Sequence, residues 1–320
     1  AILACFLEAG DRFVSGEEIS RKLNVTRTAV WKHIQELKKR GYRFESSPHK
    51  GYRLAGRPDG LIPEAIKLAA GPVSILHDVI VLDEVDSTQT EVHRLAAEGA
   101  PHGTLVAAEA QTAGKGRMGR TWLSPAGKGI WMSLLIRPPL PVLLAPQMTL
   151  VAAVALCRAL RRETGADIGI KWPNDLLSAD GRKLCGILVE SVGEDERVRH
   201  MVVGVGIDCH LEETDYPPEL AGKATSLYLL TGRRFDRAVL AGVFLKEFDA
   251  LYRLYFAEGF DPIRTLWESL SVTIGRRIRH RTGDRLTEGV AERLDERGGL
   301  VVRTDSGEHV TLLAGEIACV

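Results

Sequence analysis

Two β-type runs, Lys183–Glu190 and Val198–Asp208, stand on either side of a short acidic turn. Both are apolar through most of their length and rich in Val and Ile. A connection this short can join only antiparallel neighbours, because a parallel crossover needs a dozen residues or more. The centre of the chain is therefore expected to hold a mainly antiparallel sheet. Strand signals at Ile80–Leu82, Thr104–Ala108 and Ile130–Ile136 surround it. Helical spacing at Gln89–Glu98, Gln147–Arg162 and Phe235–Tyr255 adds the helices of an α+β domain.

That frame decides how the densest loop is read. Gln111–Trp122 carries Gly114, Gly116 and Gly119 in GxGxxG spacing. A dinucleotide fold would follow this string with a helix and place an acid roughly 20 residues on. Here Pro125 and Gly127 follow, and no acid occurs before Glu163. No G-x4-G-K-[ST] string occurs either. What remains is a glycine-rich loop presenting Lys115, Arg117 and Arg120. Glycine lets a backbone approach a ligand closely, and the cations suit a carboxylate or phosphate. A mobile basic surface loop is the competing reading.

The first 58 residues form a separate pattern. Short helices are expected over 1–8 and 17–23, with Ser15 as N-cap and Glu18 completing a capping box. Asn24-Val25 makes a turn, and Thr26 caps a longer helix from Arg27 to about Arg40, which Gly41 stops. Tyr42–Phe44 and Gly51–Leu54 then read as two strands around a polar tip, Glu45–Lys50. Helix, turn, helix and wing together make a winged helix-turn-helix. Thr26, Arg27, Thr28, Trp31, Lys32 and His33 are placed to enter a DNA groove. Lys38, Lys39 and Arg40, with His49, Lys50 and Arg53 on the wing, would serve phosphates. A solvated basic face is the plainer alternative. The Gly/Pro stretch 55–63 is the expected boundary.

Charge follows the same division. The chain of 320 residues has 42 Lys+Arg and 42 Asp+Glu, a net charge of zero. Residues 20–53 hold ten cations and two acids, and residues 110–162 hold eight cations and no acid. Two separated basic segments point to two different anionic partners. Five scattered cysteines without CxxC disfavour a disulfide framework or zinc site and suit a reducing cytoplasm. The opening AILACFLEAG has no basic run and does not read as a secretion signal. The longest apolar stretches carry Pro, Arg or Gly, so no membrane partner is expected.

Lys171-Trp172-Pro173-Asn174-Asp175 packs a cation, a rigid turn, an amide and a carboxylate into five residues. Asp175 would suit Mg²⁺ beside nucleotide phosphates. Asp and Asn are also ordinary turn formers. Lys183 is either a strand-edge solubiliser or a placed charge. Cys185 reads as packing, and the histidines show no metal-ligand spacing. From Ser271 onward, short β runs separated by Gly283, Gly298-Gly299 and Gly307 argue a small β-barrel. The basic stretch Arg276–Arg281 within it fits a solvated strand face better than a nucleic-acid contact.

Taken together, Asp86–Gln89, Gln111–Trp122, Lys171–Asp175, Lys183–Glu190 and Gly204–Ile207 resemble biotin–protein ligases. With the winged helix-turn-helix, the chain resembles the bifunctional bacterial type, which also represses biotin synthesis genes. The resemblance spans essentially the whole chain. It implies domains at 1–58, 64–270 and 271–320, the last an SH3-like β-barrel. It implies formation of biotinoyl-5′-AMP from biotin and ATP with Mg²⁺, then transfer to a lysine of a biotin carboxyl carrier protein. Lys183 would bridge carboxylate and α-phosphate, with Arg117 closing over both and Asp175 serving the metal or the carrier lysine. Ser87, Thr88, Gln89, Gln111, Lys115, Gly116 and Gly186 would join Arg117 and Lys183 around biotin. Arg120, Trp122, Lys171 and Asn174 would join the same pair around ATP. It further implies a homodimer promoted by biotinoyl-AMP that binds operator DNA.

Two positions depart from the family pattern. Asp208 stands where Asn is usual, bringing a charge beside phosphate. Lys115 stands where Arg is common. Leu211–Lys223 matches the family's adenylate-covering loop in position only. Two other functions remain open: a biotin-sensing regulator without turnover, and a lipoate or octanoate transferase.

Overall fold

The computed structural model describes residues 1–39, 41–282 and 285–319, so Arg40 and Gly283 lie outside the described residues. Helices α1 (Ile2–Ala9), α2 (Gly16–Leu23) and α3 (Arg27–Lys39) lead into the hairpin β1 (Arg43–Ser47) and β2 (Gly51–Gly56). Phe6, Ile19, Val30 and Ile34 form its core at helical spacing. The Ser15 hydroxyl accepts from the Glu18 amide at 3.0 Å. The Glu18 carboxylate turns to Arg12 instead of back to the cap, so half of the expected capping box forms. The wing is longer than its sequence pattern. Glu45 lies opposite Arg53 and pairs with it at 2.5 Å, drawing Glu45–Ser47 from the tip into β1.

The central sheet has seven strands in the order β3-β4-β5-β9-β8-β7-β6. These are β3 (Asp78–Val85), β4 (Thr104–Gln111), β5 (Gly129–Ile136), β6 (Ile168–Lys171), β7 (Asp175–Ser178), β8 (Lys183–Glu194) and β9 (Arg197–Asp208). Only β3 and β4 run parallel, joined by the crossover helix α5 (Thr88–Ala97). The β8–β9 hairpin is strand almost to its tip. Asp195 and Glu196 both take positive φ, 49° and 64°, as a two-residue hairpin turn requires. Sequence patterning ended the strands early because 192–197 is exposed and the apolar runs stop short of it.

Successive residues of the sheet face opposite layers. Leu105, Leu134 and Val203 face a large core covered by α4 (Pro63–Ala70), α6 (Gln147–Thr164), α8 (Arg237–Glu258) and α9 (Asp261–Leu270). Val106, Leu135 and Val202 face α5. On that second face the register places Gly204 and Gly206 on β9, Gly186 on β8 and Ser133 on β5. Small residues there let Trp122 and Gln89 lie directly against the sheet.

The stretch Val142–Thr164 reaches a mean hydropathy of 1.7, enough by composition for a membrane span. Of its most apolar window 67% is buried inside the fold, which accounts for its character as a core helix. A short helix, α7 (Leu227–Thr231), precedes α8. Strands β10 (Arg277–Thr282), β11 (Arg285–Leu294), β12 (Leu300–Thr304), β13 (His309–Leu312) and β14 (Ile317–Cys319) form a five-stranded antiparallel sheet. Arg277 pairs with Asp305 and Arg279 with Glu288, as a solvated strand face would.

The linker to the first module is clamped. Arg57 pairs with Asp236, and Asp59 with the fully buried Arg237. Arg237 also binds Glu109 at 2.7 Å and the Gly129 carbonyl at 3.0 Å. Removing one member of such a pair leaves the others uncompensated. Arg237→Ala is therefore expected to cost about 3 kcal/mol, read as a lower urea midpoint. An unchanged midpoint would contradict the clamp.

Candidate active site

A cavity of about 350 Å³ opens on the glycine-lined face. Gly186 and Gly206 pair directly across β8 and β9. The Trp122 indole lies over both, so a Cβ would come within 2.7 Å of the ring at Gly186 and 2.6 Å at Gly206. Any side chain at either position would displace the tryptophan.

One wall is polar but uncharged. Ser87 caps α5, its hydroxyl accepting from the Gln89 amide. Gln111 Oε1 accepts from the Thr88 amide at 2.8 Å and from its hydroxyl at 3.2 Å. The Thr88 and Ser133 hydroxyls share a 2.8 Å bond, and Ser133 donates to Gln89 Oε1 at 3.0 Å. Gln89 Nε2 donates to the Val202 carbonyl. Each group fixes its neighbour, so the donors and acceptors are held before a ligand arrives.

The other wall is cationic. Lys183 Nζ lies 2.8 Å from Asp175 Oδ1 and 5.1 Å from the Trp122 ring centre. Arg117 donates to Asn174 Oδ1 at 2.9 Å. Burial lowers the Arg117 guanidinium from its ordinary value, opposed by Asp175 and Glu316. Arg120 pairs with Glu316, which follows β13 and comes from the C-terminal sheet. Burial of Glu316 favours its neutral form, but Arg120, Lys171 and Lys183 outweigh this and hold it below its usual value.

The loop itself is folded. Arg117–Gly119 makes a single turn closed by Gly116 N donating to Arg120 O at 2.7 Å, and Trp122 N donates to Gly114 O at 2.8 Å. Met118 at its tip is 75% exposed. The structure thus has a narrow hairpin across the cavity mouth where the sequence reads as a flexible loop.

Every residue expected to bind biotin or nucleotide lines this cavity. Two have roles that spacing did not indicate. The room left by Gly186 is filled by Trp122. Asn174 has both ends engaged, accepting from Arg117 and donating to the Ile187 carbonyl at 2.8 Å. It aims the arginine and keeps one N–H and one lone pair for a ligand.

Sequence reasoning omitted Ser133, Tyr216, Glu316 and Asp208 from the site. Glu316 gives no local signal, being far along the chain. Asp208 is buried at 5% exposure, with the Tyr216 hydroxyl donating to Oδ2 at 3.1 Å. Burial pushes its carboxyl up to about 8, opposed by Tyr216 and Lys183.

On the N-terminal module, Thr28, Trp31, Lys32 and His33 are exposed on α3, and Trp31 is 52% exposed. The Thr26 hydroxyl accepts from the Ala29 amide, the helix cap expected from sequence. Arg27 pairs with Glu17, and Arg53 pairs with Glu45 and stacks on Phe13. Lys50 is exposed beside the wing turn. The freely presented cations are fewer than the sequence count.

Three family models match: an HTH domain over residues 1–53, the biotin/lipoate A/B protein ligase family over 81–208, and a biotin protein ligase C-terminal domain over 273–319. The Bacillus subtilis "bifunctional ligase/repressor BirA" is 43% identical, covering 96% of this chain and 94% of its own length. The Escherichia coli protein of the same description is 32% identical over 98% and 94%. The structure of a biotin protein ligase from Aquifex aeolicus with biotin and ATP is 31% identical, with a TM-score of 0.65, over 75% of this chain and 97% of that one.

Proposed function

The chain belongs to the biotin–protein ligases that carry an N-terminal helix-turn-helix domain, and from that premise we propose how its parts act. It is a biotin–[acetyl-CoA-carboxylase] ligase and a DNA-binding repressor. Biotin and ATP are its substrates.

The supporting observation is one cavity with an uncharged wall and a cationic wall. Biotin's ureido head is neutral and rich in donors and acceptors, so it goes to Ser87, Thr88, Gln89 and Gln111. Its carboxylate then lies toward Lys183, beside the α-phosphate of ATP. Two anions must meet, and Lys183 with Arg117 offsets their repulsion and the charge that develops in transfer. A carboxylate oxygen bonds to the α-phosphorus, and pyrophosphate leaves. The carrier lysine's amine next bonds to the acyl carbon, AMP leaves, and the amine gives up its proton. Asp175 serves either to orient that amine or to hold Mg²⁺. Lys115, Arg120 and Lys171 hold the outer phosphates. Trp122 and the 114–122 hairpin close over the acyl-adenylate and exclude water.

Three carboxylates line the cavity, each with a protein partner: Asp175, Glu316 and Asp208. That set makes no protein cage for a metal. It fits Mg²⁺ arriving with ATP, which phosphate oxygens would mostly hold, with Asp175 as the carboxylate that would add to them if it is not used on the amine. The ion would supply charge neutralisation at the phosphates.

The proposed domains, 1–58, 64–270 and 271–320, each hold one of the three sheets. The last is proposed to be SH3-like. The protein acts in the cytoplasm as an adenylate-promoted homodimer on operator DNA, without a membrane partner.

Purified protein with biotin, ATP and Mg²⁺ is expected to biotinylate an apo carrier domain. Lipoate in place of biotin should give no product. Lipoylation would favour the transferase reading, and adenylate binding without product would favour the sensor.

A further inference from the structure

Asp208 ends β9 on the cavity side of the sheet, nine-tenths buried or more. Its Oδ2 accepts from Tyr216, while Oδ1 is buried without a hydrogen-bond partner among the described residues. An ionised acid here would sit in the cavity that has to collect a polyanion, and like charges there are mutually costly. A neutral acid instead has one O–H to donate, and Oδ1 is the oxygen free to carry it.

The surroundings favour the neutral form. The groups facing it are Tyr216 on the covering segment, Lys183 and Cys185 on β8, and Cys209, the residue that follows it. Its partner on β5 is Gly129, which brings no charge. Lys183 is the cation among them, and it is already paired with Asp175.

We propose that Asp208 enters the nucleotide complex as a neutral acid and donates a hydrogen bond from Oδ1 into the cavity. Nucleotide binding then retains or takes up one proton, and affinity falls as pH rises. This rests on the ligase reading and adds a proton to it. The extra negative charge that the sequence places beside the phosphates is removed by burial rather than offset by a cation. Burial puts the carboxyl at about 8 before ligand arrives, so the linkage begins near that pH. Above it the dissociation constant should rise about tenfold per pH unit.

The test is calorimetric titration of the full chain with MgATP, without biotin, from pH 7 to 9.5. Two buffers of different ionisation heat report the proton directly. Wild-type affinity is expected to fall about thirtyfold across that range. Asp208→Asn should flatten the profile, because an amide donates at every pH. Tyr216→Phe removes a bond that favours the carboxylate, so it should shift the break to higher pH.

Stability gives a separate reading. A carboxyl raised above its unfolded value of 3.8 contributes stability that is present below that pH and lost as pH rises toward about 8. Asp208→Asn should therefore melt higher than wild type at pH 8, with the difference shrinking toward pH 4. A variant that keeps the wild-type pH dependence of MgATP affinity would overturn the inference, as would a pH-independent wild type. Absence of MgATP binding at every pH, together with no biotin-dependent pyrophosphate release, would overturn the ligase reading itself, and this inference with it.

Discussion

Lys183→Ala is expected to lower biotin-dependent pyrophosphate release by about 10²–10³-fold while the protein stays folded. The size follows from the place of the ammonium. It is the cation set between the uncharged wall and the phosphate-gathering wall, 2.8 Å from Asp175 and over the Trp122 ring. Its removal leaves Asp175 without its partner in the cavity where two anions must meet. The loss therefore combines missing stabilisation with added repulsion. Stability should change little, since Lys183 opens β8 at the cavity's edge and is not packed in the core. Lys183→Arg should recover only part of the rate, because a planar fork cannot replace a compact charge. Turnover within a factor of three of wild type would remove the role given to Lys183.

The second large effect concerns DNA. Biotin and ATP together are expected to tighten operator binding by 5- to 150-fold, the usual span of coupling between two sites. A ligand shifts DNA affinity only if it prefers one state of the whole molecule. Dimerisation supplies such a state, because two modules then engage two half-sites at once. Salt dependence distinguishes this from a change within one module. Lys32, Lys38, Lys39 and Lys50 are exposed, with no ion pair seen among the described residues. Four phosphate contacts per module give a slope of log K against log salt of about −3.6, and two modules about −7. Doubling of the slope on adding biotin and ATP is the expected result. An unchanged slope and affinity would remove the switch and leave the ligase intact.

The hairpin that frames the sheet could be read from sequence because its strands are two apolar runs and the turn between them is short. The cavity residues could be read because glycines, cations and amides cluster in short strings whose spacing is itself chemical. The charged partnerships could not. Arg27, Arg53 and Arg120 are plain cations in sequence, yet each is committed to a carboxylate, and Glu316 lies 196 positions from Arg120. The same limit hid Asn174's role, since its two partners, Arg117 and Ile187, lie on either side of it in sequence. Asp208 stood out only as a departure from the family pattern. Its burial, which decides what the substitution does, depends on the 211–224 segment folding over β9.

The central claim is that one adenylate serves both the carrier and the operator. It is tested most directly by titrating apo carrier domain into the protein bound to operator DNA with biotin, ATP and Mg²⁺. DNA occupancy and biotinylated carrier are followed in the same sample. Occupancy should fall as biotinylated carrier appears, and should return once the carrier is used up. Occupancy that stays constant while the carrier is biotinylated would contradict the account.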